Sequence, residues 1–130
     1  MFSLALWDKK ERRLTLGRDR FGEKPLYYGW LGKGNSQTFV FGSELKALRA
    51  FPGFDNPVNR DALALYFQFC AVPAPYSIFQ DIFKLEPGHI LILQEKEFKN
   101  KAQWIEREVK LKEQYRKMER IWKGFTKICS

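Results

Sequence analysis

Between Leu14 and Trp30 the chain reads LTLGRDRFGEKPLYYGW, and two glycines and a lysine between apolar runs raise phosphate binding first. A phosphate-cradling loop of the form G-x-x-x-x-G-K-S/T puts lysine and a hydroxyl directly after its second glycine and then opens a helix. Gly17 and Gly22 have that spacing, but Glu23 intervenes before Lys24, and Pro25 stands where the hydroxyl is needed. The run LYYGW that follows has strand character, so no helix N-terminus is offered to an anion. Phosphate binding is excluded. His89 is the only histidine and has no cysteine or acidic cluster beside it, which does not support a metal site. Ser43-Glu44 reads as a helix cap rather than a catalytic pair. Cys70 and Cys129 do not make a disulfide framework, and Cys70, within FQFCAVP, reads as a buried, inert thiol.

The elements that must position these residues change character along the chain. FSLALW, LTLG, LYYGWL and TFVFG read as short strands of a meander, separated by DKKERR, the Gly17–Pro25 loop and GKGNSQ. Their partial alternation suits a sheet covered on both faces for much of its width. Ser43 is placed to cap a short helix ELKALRAF, which PGFDNP stops. Asn59 is the next N-cap, with Asp61 near the positive end of the helix RDALALYFQF. Leu63, Phe67 and Cys70 share one face of that helix, and Leu65, Tyr66 and Phe69 widen it, so packing on two sides is expected. After the break AVPAPYS, the chain runs through a turn at Pro87-Gly88 into a strand over His89–Leu93.

From Glu95 onward the composition shifts. Trp104, Leu111, Tyr115, Met118, Trp122 and Phe125 are spaced as an amphipathic helix, with opposite-charge pairs such as Glu106–Lys110 and Glu113–Lys117. Trp104 and Trp122 could stack on bases, but their spacing fits contact with a core better. The formal charge is +8, and 11 basic against 6 acidic side chains of residues 95–130 supply most of it. The interspersed glutamates would repel phosphate, so nucleic acid is not an expected partner. At 130 residues, 16% of them aromatic, the chain is long and apolar enough for one domain with a core. MFSLALWD lacks a basic leader region and meets charge at Asp8, and no apolar run approaches the ~20 residues of a membrane span. No membrane partner and a reduced, cytoplasmic setting are expected.

Taken in order, MFSLALWD, LGRDRFGEKPLYYG, FVFGSELKAL and RDALALYFQFCAVPAPYSIFQDIFKLEPGHIL resemble the later part of the glutaminase domain of bacterial, glutamine-hydrolysing asparagine synthetases, and then the linker to their synthetase domain. The resemblance covers residues 1–93 without gaps, and R-D-x-x-G-x-K-P-L-Y-Y followed by S-E-L-K-A-L is its specific part. It implies an α+β fold: a partial N-terminal-nucleophile (αββα) sandwich, with antiparallel strands in the first half, helices after and a long amphipathic C-terminal helix. Residues 1–57 would be a partial glutaminase sheet with a short helix. Residues 58–93 would be linker helix, turn and strand, and 94–130 a divergent basic tail, replaced or frame-altered. Arg18, Asp19, Gly22, Lys24, Pro25, Ser43 and Glu44 carry the motif and are assigned to the scaffold. Gly17 and Gly22 would permit backbone angles closed to other residues, Pro25 would fix the start of the next strand, and Arg18 with Asp19 would form an internal ion pair or backbone ties.

The same resemblance implies where the chemistry lies. In this family an N-terminal cysteine attacks the carboxamide, and its own α-amine, with an unperturbed pKa of about 8, handles the proton. An Asn-Gly pair forms the oxyanion hole, and an arginine and an aspartate hold the glutamine. All are expected ahead of the position that matches Met1, so no catalytic, cofactor-binding or metal-binding residue is carried over. Cys70 and Cys129 carry no free α-amine, and no S-G-G-x-D-S pyrophosphate loop follows Leu93. ATP and Mg belong to the full-length family, as do its substrates glutamine and aspartate. The expectation is a fragment, inactive alone, that self-associates through an uncovered sheet face. The alternative is a non-catalytic binding or interaction module with a basic helical tail.

Overall fold

The structure, a computed structural model, describes residues 2–34, 37–98 and 101–110. Strands β1 (Ser3–Asp8), β2 (Arg13–Arg18), β3 (Tyr27–Leu31) and β4 (Thr38–Gly42) come first. Helices α1 (Leu45–Arg49) and α2 (Arg60–Phe69) follow, and then β5 (Ile82–Lys84), β6 (His89–Phe98) and β7 (Lys101–Lys110). The strands form two antiparallel sheets, ordered β1-β2-β6-β7 and β4-β3-β5. Among the described residues two compact units result: one holds Phe2, Ser3 and Arg18–Pro87, the other Leu4–Gly17 and the described residues from Gly88 to Lys110.

The first unit is a three-stranded sheet with its helices. β3 is its central strand, pairing Gly29 with Val40 on β4 and Tyr28 with Phe83 on β5. Because strand side chains alternate, Leu31, Val40 and Ile82 share one face, and with Leu48 of α1 they form the buried core. Tyr27, Leu45, Phe54 and Phe79 close around it. Tyr28, Trp30, Phe39, Phe41 and Phe83 occupy the opposite face, their rings in tilted or edge contact at 5.1–6.5 Å. Asn59 caps α2, its side chain accepting from the N–H groups of Asp61 at 3.0 Å and Ala62 at 3.3 Å. An antiparallel bridge of Val58 with Phe79 holds the start of this helix. In the second unit, β2 pairs Leu14 with Leu93 and Leu16 with Leu91, and Leu16 and Leu91 are fully buried.

Several sequence expectations are corrected. Lys101–Lys110 is strand β7, paired with β6 from His89↔Lys110 to Phe98↔Lys101, and not the start of a long amphipathic helix. The helical spacing of three and four begins only at Leu111; the seven-residue step from Trp104 has charged Arg107 and Glu108 where a helix would need its next apolar residue. In a strand, Glu106 and Lys110 lie about 13 Å apart along the chain, so helical i,i+4 spacing does not apply to them. Leu111, Tyr115, Met118, Trp122 and Phe125 lie outside the described residues, as do Glu113–Lys117 and Cys129. Helices do not close the order, since β5, β6 and β7 follow them, and β6 continues five residues past Leu93. Glu44, not Ser43, is the N-cap of α1, with extended backbone and no side-chain cap; its carboxylate instead reaches Lys46 at 3.1 Å on the surface. Nor is α2 packed on two sides. Only Ala62 is buried, while Phe67 is 76% and Phe69 60% exposed. Cys70 is exposed too, ending α2 in the left-handed region at φ 56. Strand β1 is largely uncovered, with Leu6 and Trp7 exposed.

One glycine fixes the join of β3 and β5. Asp81 takes φ 60, and its carbonyl accepts from Trp30 N at 3.3 Å, so the chain passes directly over Gly29. A Cβ on Gly29 would lie 2.1 Å from that carbonyl and 2.9 Å from the Ile82 Cα, both backbone atoms that have no free rotor to turn away. Gly29→Ala is expected to destabilise by about 3 kcal/mol, the upper range for overpacking. Gly53→Ala, at φ +87 but with nothing within 4 Å, should cost only about 1–2 kcal/mol of backbone strain. Denaturant melts of the two variants check the difference.

Candidate functional site

The motif residues meet around one buried cation. Arg18 ends β2 and is 5% exposed, too buried for its charge to be left to water. Its guanidinium instead donates to three main-chain carbonyls: Nε to Lys24 at 3.1 Å, Nη1 to Leu85 at 2.5 Å, and Nη2 to Gly22. Burial holds its pKa below the usual arginine value, and neighbouring Asp19 partly offsets this. Asp19, equally buried, accepts from the Gly22 N–H at 2.9 Å through Oδ1. Asp19 and Arg18 thus grip the same residue of the turn from its N–H and its carbonyl. Gly22 is at φ +63, with Pro87 Cγ 2.5 Å from where a Cβ would sit, so glycine is required there on two counts.

The remaining motif residues contribute backbone. Lys24 is exposed and enters through its carbonyl; Pro25 is half-buried and leads to buried Leu26, whose carbonyl accepts from Leu85 N at 2.8 Å. Leu85 therefore joins the loop through both its N–H and its carbonyl, 67 residues from Arg18. Ser43 and Glu44 lie in the short link between β4 and α1, where Glu44 pairs with Lys46. His89 opens β6 opposite Lys110.

Sequence reasoning passed over Lys84. It lies beside a cleft of about 380 Å³ lined largely by apolar groups, among them Leu45, Leu63, Val72 and Ile78, with Tyr27, Tyr66 and Ser77. Its Nζ donates to the Val72 carbonyl at 2.8 Å and stands 5.5 Å from the centre of the Tyr27 ring. Desolvation, and then the nearby Arg18 charge, depress its pKa below the ordinary 10.5. Desolvation raises Tyr27 above 10.0, with Arg18 opposing. Ser77 is fully committed: its Oγ donates to the carbonyls of Ile82 or Phe79 and accepts from Phe79 N. Among the described residues no group of three or more His, Cys, Asp or Glu could hold a metal, and no helix is long and apolar enough to cross a membrane.

The chain belongs to the glutamine amidotransferase domain family, whose model matches residues 1–105. Among its relatives are a putative asparagine synthetase (glutamine-hydrolyzing) 2 of Methanocaldococcus jannaschii, 38% identical over 80% of this chain, and asparagine synthetase (glutamine-hydrolyzing) 3 of Bacillus subtilis, 37% identical over 70%. The Bacillus subtilis asparagine synthetase 2 is 33% identical over 89% of the chain. The chain spans only 20%, 14% and 16% of these three relatives. No solved structure matches it. The family match continues past Leu93, where the resemblance given above ends, across β6 and into β7.

Two substitutions test this geometry. Arg18→Lys keeps the charge but loses the fork, leaving buried carbonyls unpaired, and should destabilise by roughly 3 kcal/mol in denaturant melts. Lys84 makes stability depend on pH, because the folded chain holds its proton less well than the unfolded one. Between its depressed pKa and 10.5 the unfolded state binds more protons, so stability rises with pH. Tyr27, raised above 10.0, reverses the trend only above that pH. Lys84→Met should therefore flatten the rise in melting temperature on approaching pH 10.

Proposed function

We propose that this chain forms part of the glutamine-hydrolysing half of a glutamine-dependent asparagine synthetase, a ligase that amidates aspartate with ATP and takes its nitrogen from glutamine. The observation that carries the reading is the family match over residues 1–105, with the R-D-x-x-G-x-K-P-L-Y-Y loop inside it. On this reading the chain supplies strands of an αββα sandwich fold. Arg18, Asp19, Gly22, Lys24 and Pro25 set the path of the loop between them, while Ser43 and Glu44 set the turn from β4 into α1. Each Arg18 nitrogen already meets a main-chain carbonyl, which favours this scaffold role over a grip on substrate.

The chain on its own is read as inactive and cytoplasmic, and as prone to self-association. Neither of its cysteines carries a free α-amine, so neither can combine nucleophile and base as the family's mechanism requires. The described residues also do not fit Mg-ATP. They gather no metal-ligand cluster, and the Gly17–Gly22 loop leads into strand β3 rather than a helix N-terminus. Substrate activation is accordingly assigned to the parts of the relatives that this chain does not span. The purified 130-residue chain should release no ammonia from glutamine above a heat-treated control. Turnover above that control, measured as glutamate and ammonia in equal amounts, overturns the inactivity.

A further inference from the structure

The outer edge of β4 is built to take another strand. In an antiparallel sheet the N–H and C=O of one residue point to the same neighbour, and successive residues alternate. Trp30 N bonds to Asp81 O and Leu26 O accepts from Leu85 N, so the even-numbered residues of β3 address β5. Tyr27, Gly29 and Leu31 then address β4, opposite Gly42, Val40 and Thr38. That leaves the main-chain groups of Phe39 and Phe41 directed away from the sheet. Among the described residues no strand pairs with that edge. Thr38–Gly42 reads TFVFG, with none of the lysine, proline or inward charge that protects natural edges.

The surface beside this edge is apolar. A groove of about 280 Å³ is lined by Phe39, Val40, Phe41, Ala47, Leu48 and Phe51. Consecutive strand residues point to opposite faces, so a groove touching Phe39, Val40 and Phe41 together runs along the edge, with α1 as its far wall. Phe41 and Phe51 are each 42% exposed there.

We propose that two copies of this chain pair through β4, antiparallel and about a twofold axis at Val40. The strand is self-complementary in that register: Phe39 of one copy lies opposite Phe41 of the other, and each pair exchanges both of its main-chain bonds, about four in all. With the axis perpendicular to the sheet, the aromatic faces of the two copies are continuous. The row Phe83–Tyr28–Phe41 then continues to Phe39 of the second copy across one more inter-strand step of about 4.8 Å. The occupant is a second copy because a single neutral strand supplies both halves of the match, and the inference does not rest on the family or its activity.

Sedimentation velocity over a range of concentration, with amide exchange read residue by residue, tests it. The chain should shift from monomer to dimer, and the Phe39 and Phe41 amides should gain protection with concentration while those of Val40 and Gly42 stay protected throughout. Phe41→Pro removes an outward N–H without touching a bond to β3, and it keeps Val40 extended as the strand needs. It should weaken the dimer by about tenfold or more, since two main-chain bonds are lost per pair of chains. Phe41→Lys keeps the N–H but sets like charges close to the axis, and it should also dissociate the dimer while retaining the circular dichroism of the folded chain. A monomer at every concentration overturns the proposal. So does a dimer that persists in Phe41→Lys, or protection of the β4 edge that appears only when a different polypeptide is added.

Discussion

The buried guanidinium of Arg18 is the interaction on which the first unit depends. A cation taken out of water is costly unless every direction of its charge is met, and here three carbonyls and the neighbouring Asp19 meet it. Each carbonyl comes from a segment that is otherwise without regular structure: the Gly22 turn, the Lys24 approach to β3, and Leu85 just beyond β5. The side chain replaces, in a loop, the main-chain ladder that orders a sheet. Its planar fork makes the geometry specific, since the three acceptors must lie in one plane.

This arrangement also explains how the charge spreads beyond its own residue. Arg18 lowers the proton affinity of Lys84 and opposes the rise at Tyr27, so one committed cation conditions the electrostatics of the neighbouring cleft. Lys84 gives up water for a single carbonyl and an aromatic face, a weaker exchange than Arg18 makes. Both cations are held below their ordinary proton affinity by burial, but only Arg18 is repaid by three carbonyls.

The elements legible in sequence were those punctuated by residues with a local physical meaning. Glycine and proline marked the loops and the turn at Pro87-Gly88, and Asn59 marked the start of α2. The motif residues stood out through their spacing, but their partners did not. A carbonyl acceptor leaves no trace in a sequence because every residue owns one, so the tie from Arg18 to Leu85 could not be read. Strand β5 is three residues long, too short for a period to show in the sequence, and its pairing with β3 is what defines it. The helical reading of the tail weighted one tryptophan seven residues from the next apolar position, whereas pairing with β6 decided residues 101–110. For α2 the apolar composition was plain; whether anything covers it is a tertiary fact that no periodicity contains.

That last feature bears on how exposed apolar surface is read. Helix α2 is well capped by Asn59, yet Tyr66, Phe67 and Phe69 stand out from it into solvent. A folded protein normally shows such a cluster only when it has opened, and quality-control factors that sample hydrophobic side chains read it that way. For this chain the signal is displayed by the native helix itself. Those rings stay in view whether or not the fold opens, so a substitution that made that face polar would change the apolar surface on display without touching the core.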